Sequence, residues 1–474
     1  MARGPPGRRR LVLTAPVVHT SATDATIAAR LLGEFHRAAE QVPAYRALLE
    51  ETGVRAIDVR DVWAFSALCP LLSKVNTFDR FPLPLLCAGG ELRDIAEVLT
   101  SSGHGGRFSF GVISRPEAAA SGAFVDAALD PAFQVRSRKT LAINCLPMGV
   151  VVSSQCMTVA TTSVREDMAV SLVKTFGGGY DQIVLIGDPL FMKRLTDHAA
   201  EQALDWTNYR VNAVVGEETF GEQFRGYIGD CLGYDPERPG SGRVISSFGV
   251  AELGLHLCFE TAATLEVARA AATNAALAHD LLGGAPGSWP PMVLSFDPQR
   301  TFIEILDPDD LGYGRLTISM LDPSRQIPLL RYQTGDVARL LHPEHVAATL
   351  HRHGAAAANL PPALLALRGR TREALPNGAQ VGLYKDALYA NRELARRFTG
   401  ATRLIFSGSR FTMHVQLVRG QKPAPVFERG LMAELTPGVR PSRVVLWPYA
   451  QFPFGMGLDY ERKFVHYAPG EPDR

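Results

Sequence analysis

Three short runs in this 474-residue chain set chemistry-bearing side chains among glycines. The first, residues 100–106 (TSSGHGG), packs three hydroxyls and three glycines into seven positions. Glycine lets the backbone approach a ligand closely, and N–H groups and hydroxyls donate to phosphate oxygens, so the run suits an anion cradle. It is not the GxxxxGK[ST] loop and holds no lysine, so a cation must come from Arg107, Mg²⁺ or a distant lysine. The second run, residues 246–252 (SSFGVAE), puts an aromatic ring, a glycine and a carboxylate at the end of an expected buried strand, where α/β folds gather ligands. Those groups can stack a ring, permit close approach and hold a hard cation. The third, residues 330–340 (LRYQTGDVARL), places Asp336 after a Thr–Gly turn. A carboxylate there can take two ribose hydroxyls at about 1.5–3 kcal/mol per charge-assisted bond, or it can simply cap its turn.

Positioning such runs needs a layered scaffold. Residues 24–39 carry Ile27, Leu31, Phe35 and Ala39 at four-residue steps, which predicts an amphipathic helix. Residues 182–187 (QIVLIG), 211–216 (VNAVVG) and 243–247 (RVISS) read as buried strands of a parallel sheet, with a helix over 189–198 after the first. The alternation predicts an α/β class. Residues 301–306 and 315–320 alternate polar and apolar positions, as an antiparallel, half-exposed sheet would. A break rich in Ala, Gly and Pro at 351–362 sets a domain boundary near Arg370. Beyond it a small α+β unit is expected, with helices around 389–398 and 426–435 and strands at 404–406, 412–418 and 443–447.

Composition narrows the class. Apolar residues make up 46% of the chain, enough for a large core, and the length favours two domains. A net charge of +1 gives nucleic acid no general electrostatic reason to bind. Residues 140–164 contain no charge, but nine polar side chains there argue for buried, pocket-lining interior and against a membrane span. The basic, apolar start is too short and broken for a targeting signal. Six cysteines without CxxC spacing fit a reduced, cytoplasmic protein.

The three runs, in this order and spacing, resemble the adenylate-forming (ANL) superfamily, closest to its phenylacetate–coenzyme A ligase and acyl-protein synthetase branch. The resemblance spans roughly residues 25–470 and adds two motifs: Gly216-Glu217-Glu218, similar to an adenine-contacting segment, and Gly369-Arg370, similar to a hinge. It implies an ATP- and carboxylate-binding domain over 1–369 and a mobile lid over 370–474. It also implies phosphate contacts from Thr100, Ser101, Ser102, Gly103, Gly105 and Gly106. Phe248, followed by Gly249, would lie beside adenine or the acyl group, Glu252 would hold Mg²⁺, and Asp336 would bind the ribose with Arg370 nearby. Lys463, the only lysine after Lys422, would be the lysine that reaches the carboxylate and the α-phosphate. The implied reaction converts a small carboxylic acid and ATP to an acyl-adenylate. Transfer follows to a thiol, coenzyme A or the phosphopantetheine of a carrier protein.

Departures leave the acceptor open. His104 and Gly105 replace two threonines of the usual loop, and Thr371-Arg372-Glu373 replaces the hinge acid. An amine acceptor, or a silent ATP- or acyl-binding regulator, are the alternatives. His342, His345, His351 and His353 lack Cys or carboxylate company, so metal binding is not expected of them. His256 and Cys258 are pocket residues or ordinary packing, and residues 177–179 form a turn.

Overall fold

The computed structural model describes residues 17–18, 24–100, 110–235, 241–284, 288–370, 373–408, 410–455 and 460–470. Residues 101–107, with most of the first glycine run, lie outside them, as do the first sixteen residues, Thr371 and Arg372.

A twelve-stranded sheet runs through the larger part of the chain. Five of its strands are parallel, in the spatial order Thr158–Thr161, Thr140–Asn144, Gln182–Gly187, Val211–Val215 and Val244–Val250. Their Val/Ile/Leu-rich centres are wholly buried in Gln182–Gly187 and Val211–Val215, as strands covered on both faces must be. The expected helix after the first of these is Pro189–Glu201. Asp188 caps it by accepting from Leu190 and Phe191 N–H, and Pro189 stands where no N–H is needed. The sheet then continues antiparallel through Gly254–Phe259, Met292–Phe296, Leu364–Arg370, Tyr332–Leu341, Gly314–Met320 and Thr301–Leu306.

The antiparallel pairing is as predicted, but the half-exposure is not. Thr301–Leu306 is buried at every position, and Gly314–Met320 at all but Arg315. The N-terminal helices close the second face, with Phe65 edge-on to Phe302 at 6.5 Å. The polar positions that suggested a wet face instead house an ion pair, Arg331 to Glu304 at 3.1 Å, with Arg331 also donating 2.6 Å to the Cys69 carbonyl. A buried charge is tolerated only when paired and hydrogen-bonded in this way.

The charge-free stretch 140–164 is continuously interior only over residues 140–147, whereas Val151, Gln155, Cys156, Thr158 and Thr161 are exposed. It supplies two adjacent parallel strands and a loop between them, and the Asn144 amide pins that loop through Val150 O at 2.7 Å and Leu146 N at 3.1 Å. No helix among the described residues is long and apolar enough to cross a membrane.

Past Arg370 the chain builds a second, three-stranded sheet from Phe398–Ser407, Arg410–Leu417 and Arg443–Trp447, with helix Pro425–Glu434 packed on the last strand. The single helix expected around 389–398 is absent. Two short helices, Val381–Ala387 and Arg392–Ala395, replace it, and Phe398 already opens the strand. Asn391 causes the restart, its side chain accepting from Glu393 and Leu394 N–H.

This unit does not merely touch the larger one. Phe191 meets Tyr460 at 5.9 Å, Phe224 meets Tyr389 at 5.0 Å, and Tyr227 meets Tyr389 at 5.4 Å, all within one continuous apolar cluster. The Asp386 carboxylate accepts from Phe224 N–H at 2.8 Å, capping helix Glu222–Cys231 of the large unit.

Candidate active site

The carboxyl ends of the parallel strands open into a cavity of about 340 Å³. Leu146, Ile186, Val214 and Gly216 border it from successive strands, the place where open α/β sheets collect ligands. One part of its wall is polar, with Lys74, Thr100, Glu217, Glu252, Thr334, Arg370 and Lys463. The rest is mostly hydrocarbon, from Val125, Ala128 and Leu129 of helix Arg115–Phe133 and Val150 and Val152 of the 145–157 loop. Of the site residues proposed from sequence, Thr100, Gly216, Glu217, Gly249, Glu252, Arg370 and Lys463 therefore meet at one cavity.

Lys463 arrives from the C-terminal unit. Its ammonium donates 2.9 Å to the Glu217 carbonyl and stands 3.3 Å from that residue's carboxylate. Glu217 holds a left-handed φ of 69°, a conformation that non-glycine residues adopt only when their surroundings enforce it. Two residues before Lys463, the Glu461 carboxylate accepts from Met148 N–H at 2.6 Å and Ser163 Oγ–H at 2.7 Å, tying the lysine's loop to the cavity wall.

Glu252 is 8% exposed and borders the cavity, with the Tyr332 hydroxyl 3.5 Å away. Arg325 donates to the carbonyls of Glu252 and Leu253 and so fixes the turn that presents it. Gly249 explains itself sterically: a Cβ there would lie 2.5 Å from the Leu255 backbone, so only glycine lets strands Val244–Val250 and Gly254–Phe259 fold back on each other. Gly369, at φ 100°, turns the last strand so that Arg370 comes 3.7 Å from Asp336.

Three expected residues do not border the cavity. Phe248 packs into the main core, because strand alternation turns it opposite to Ser247 and Gly249. Asp336 stands behind Arg370, which does border the cavity. Glu218 points to the C-terminal unit, 2.5 Å from Lys385 and 3.6 Å from His466. Burial works to raise the Glu218 carboxyl, yet Lys385 and His466 outweigh it and hold it well below the usual range. Ser101, Ser102, Gly103, Gly105 and Gly106 lie outside the described residues.

Sequence reasoning passed over Lys74, Lys385 and Arg300. A usable signal exists: seven of the chain's forty-nine basic residues are lysines, and four of those seven, Lys74, Lys193, Lys385 and Lys463, sit at this cavity or at the junction behind it. His256 and Cys258 both border the cavity. His342, His345, His351 and His353 do not border it. His353 bonds Asp280 at 2.9 Å, and no metal-binding group of three or more ligands exists among the described residues. Residues 177–179 form the expected turn.

Asp188 lies behind the site. Burial, with Glu218 and Glu217 adding to it, pushes its carboxyl up to about 7. Its Oδ1 serves the helix cap, and its buried Oδ2 has no hydrogen-bond partner. Because the folded value exceeds the ordinary 3.8, the fold binds the extra proton: this contribution is complete below about pH 4 and is lost as pH rises to about 7. Asp188→Asn keeps the cap without the charge. The variant's stability advantage over the parent is expected to grow between pH 4 and 7 and then level off in urea titrations. A variant less stable than the parent at pH 8 contradicts this.

No family model matches the sequence, and no curated protein matches it. The fold, however, is that of the adenylate-forming acyl-coenzyme A ligases. With 2-hydroxyisobutyryl-CoA ligase in the postadenylation state, in complex with 2-HIB-AMP, the TM-score is 0.64 at 15% identity, over 98% of this chain and 94% of that one. With the same ligase in complex with 2-HIB-AMP and CoA in its thioesterification state, the TM-score is 0.53 at 15% identity, over 95% and 90%.

Proposed function

We propose that this chain joins ATP to a carboxylic acid, forming an acyl-adenylate and pyrophosphate, and then passes the acyl group to a thiol, coenzyme A or a carrier pantetheine. The observation that carries the reading is the convergence of Lys463, Thr100, Glu252 and Arg370 on a cavity whose remaining wall is largely apolar. One wall suits phosphates and a carboxylate, the other an acyl body.

In the first step a carboxylate oxygen attacks the α-phosphorus, and the bond to the pyrophosphate oxygen breaks. Both reactants are anions, so the reaction needs cations placed where charge accumulates. In this reading Lys463 bridges carboxylate and α-phosphate, while Lys74, which borders the same cavity as Thr100, supplies positive charge that the TSSGHGG run lacks. Glu252 is a hard oxygen donor facing the cavity, and one carboxylate plus substrate phosphates is how Mg²⁺ is ordinarily held. When bound, Mg²⁺ would neutralise the departing pyrophosphate. Gly216 and Gly249 border the cavity in which the purine would lie. Asp336 acts through Arg370, keeping the guanidinium at the ribose end.

In this reading residues 1–369 form the catalytic body and 370–474 the lid. The second step requires Lys463 to withdraw, so its bond to Glu217 and the Lys385–Glu218 bridge must break as the lid turns near Arg370.

ATP–pyrophosphate exchange tests the first step. Exchange is expected with at least one acid in a panel of aromatic, fatty and amino acids, and coenzyme A, carrier protein and amines added in turn identify the acceptor by product mass. Folded protein that binds ATP yet exchanges with no acid is a silent binder, and the proposal fails.

A further inference from the structure

A second cavity, of about 100 Å³, adjoins the first and shares Leu99, Val125, Ala251, Leu255 and His256 with it. Its far side holds a charged group that nothing above uses. The Arg300 guanidinium lies flat on the Phe124 ring, 3.6 Å from its centre, and its Nε is buried with no hydrogen-bond partner. A buried donor without an acceptor costs roughly 1–3 kcal/mol, so such groups call for an explanation. Burial lowers the Arg300 pKa although Asp322 and Asp297 oppose it, and burial with Arg300 together bring His256 down to about 4. The imidazole is therefore neutral at ordinary pH.

Two carboxylates of this chamber already hold partners. Glu117 takes Ser114 N–H at 3.0 Å and faces Arg325 at 3.3 Å, and Asp322 takes both the N–H and the hydroxyl of Ser324. What the chamber offers a newcomer is a donor, Arg300, with the imidazole of His256 at the passage between the two cavities. What it refuses is more negative charge: Glu97, Glu117 and Asp322 line it against Arg300 and Arg325. Val125, Ala128, Leu129 and Leu255 give the first cavity apolar surface.

Resting on the adenylation reading, we propose that the acid has an uncharged, apolar body ending in a neutral hydrogen-bond acceptor, such as a keto, ether or amide oxygen. Arg300 and His256 recognise that end. A dicarboxylate meets an already acidic chamber.

The test compares three acids of one chain length in ATP–pyrophosphate exchange: octanoate, 7-oxooctanoate and suberate. A hydrogen bond from a charged donor to a neutral acceptor predicts kcat/KM for the oxo acid about 10- to 100-fold above octanoate, with suberate lowest. Arg300→Met brings the oxo-to-methylene ratio close to one, and His256→Leu reduces it in part. ATP binding by calorimetry checks that each variant is folded. Parent enzyme that favours octanoate or suberate overturns the inference and leaves adenylation standing, as does a ratio that survives in folded Arg300→Met. Absence of exchange with every acid removes the adenylation reading, and this inference with it.

Discussion

Lys463→Ala is expected to lower acyl-adenylate formation by about 10²–10³-fold, while transfer from supplied acyl-adenylate stays within a few-fold of the parent. The asymmetry follows from where the ammonium sits. It is fixed by the Glu217 carbonyl at 2.9 Å and carboxylate at 3.3 Å, and it borders the cavity together with Thr100 and Glu252. On the proposed reading its work is to let two anions meet and to follow the charge as the pyrophosphate departs. Once the adenylate exists that work is over, and the lysine must leave for the acceptor to approach. Exchange kinetics report the first step, and thioester formation from synthetic acyl-adenylate reports the second. Equal losses in both, or none in either, would remove Lys463 from the chemistry and make it a structural clasp on Glu217.

The largest effect on stability is expected at Arg225. Its guanidinium is buried and bonds Glu260 at two points, 2.8 and 2.7 Å, as well as the Val244 carbonyl and Glu222. Burial pushes the Glu260 carboxyl up against the pull of Arg225, but the two-point geometry and the Ser246 N–H at 2.6 Å favour the ion pair. Arg225→Met leaves Glu260 in apolar surroundings with one backbone partner, at a cost of about 3–5 kcal/mol. Adding Glu260→Leu should recover a large part of that loss, since a pair replaced by hydrocarbon of similar volume is often neutral. Urea unfolding midpoints at constant slope decide this. A loss under 1 kcal/mol for the single variant would mean that water reaches the pair. The pair also anchors strand Val244–Val250, which leads into the turn that carries Glu252, so one measurement weighs the support of the site.

Much of the scaffold was legible. The runs QIVLIG and VNAVVG are short, rich in β-branched residues and, but for Gln182 and Asn212, apolar, and a parallel strand covered on both faces has little else it can look like. The site was legible where it is local: Gly216, Glu217, Gly249 and Glu252 follow strand ends in sequence and in space. Reading failed where the cause is distant. Phe248 sits inside a correctly placed motif, yet its direction depends on the parity of the strand, which one bulge resets. Glu218 neighbours Glu217 but serves Lys385, 167 residues on. The polar positions of Thr301–Leu306 implied solvent, because a buried partner such as Arg331 is invisible to a local pattern. Arg300 looked like any loop arginine until Phe124, 176 residues earlier, came to lie beneath it.

The rings that Phe191, Phe224 and Tyr227 share with Tyr389 and Tyr460 bear on how such a protein can be rebuilt. The proposed division at Arg370 invites cut-and-paste engineering, with one relative's C-terminal unit joined to another's larger one. Here the seam is made from both pieces. A foreign C-terminal unit would face helices Pro189–Glu201 and Glu222–Cys231 without the rings that fill them, and Asp386 would no longer cap the second helix. The exchangeable part is therefore the C-terminal unit together with the ring-bearing faces of those two helices, a piece that is discontinuous along the chain and whole only in three dimensions.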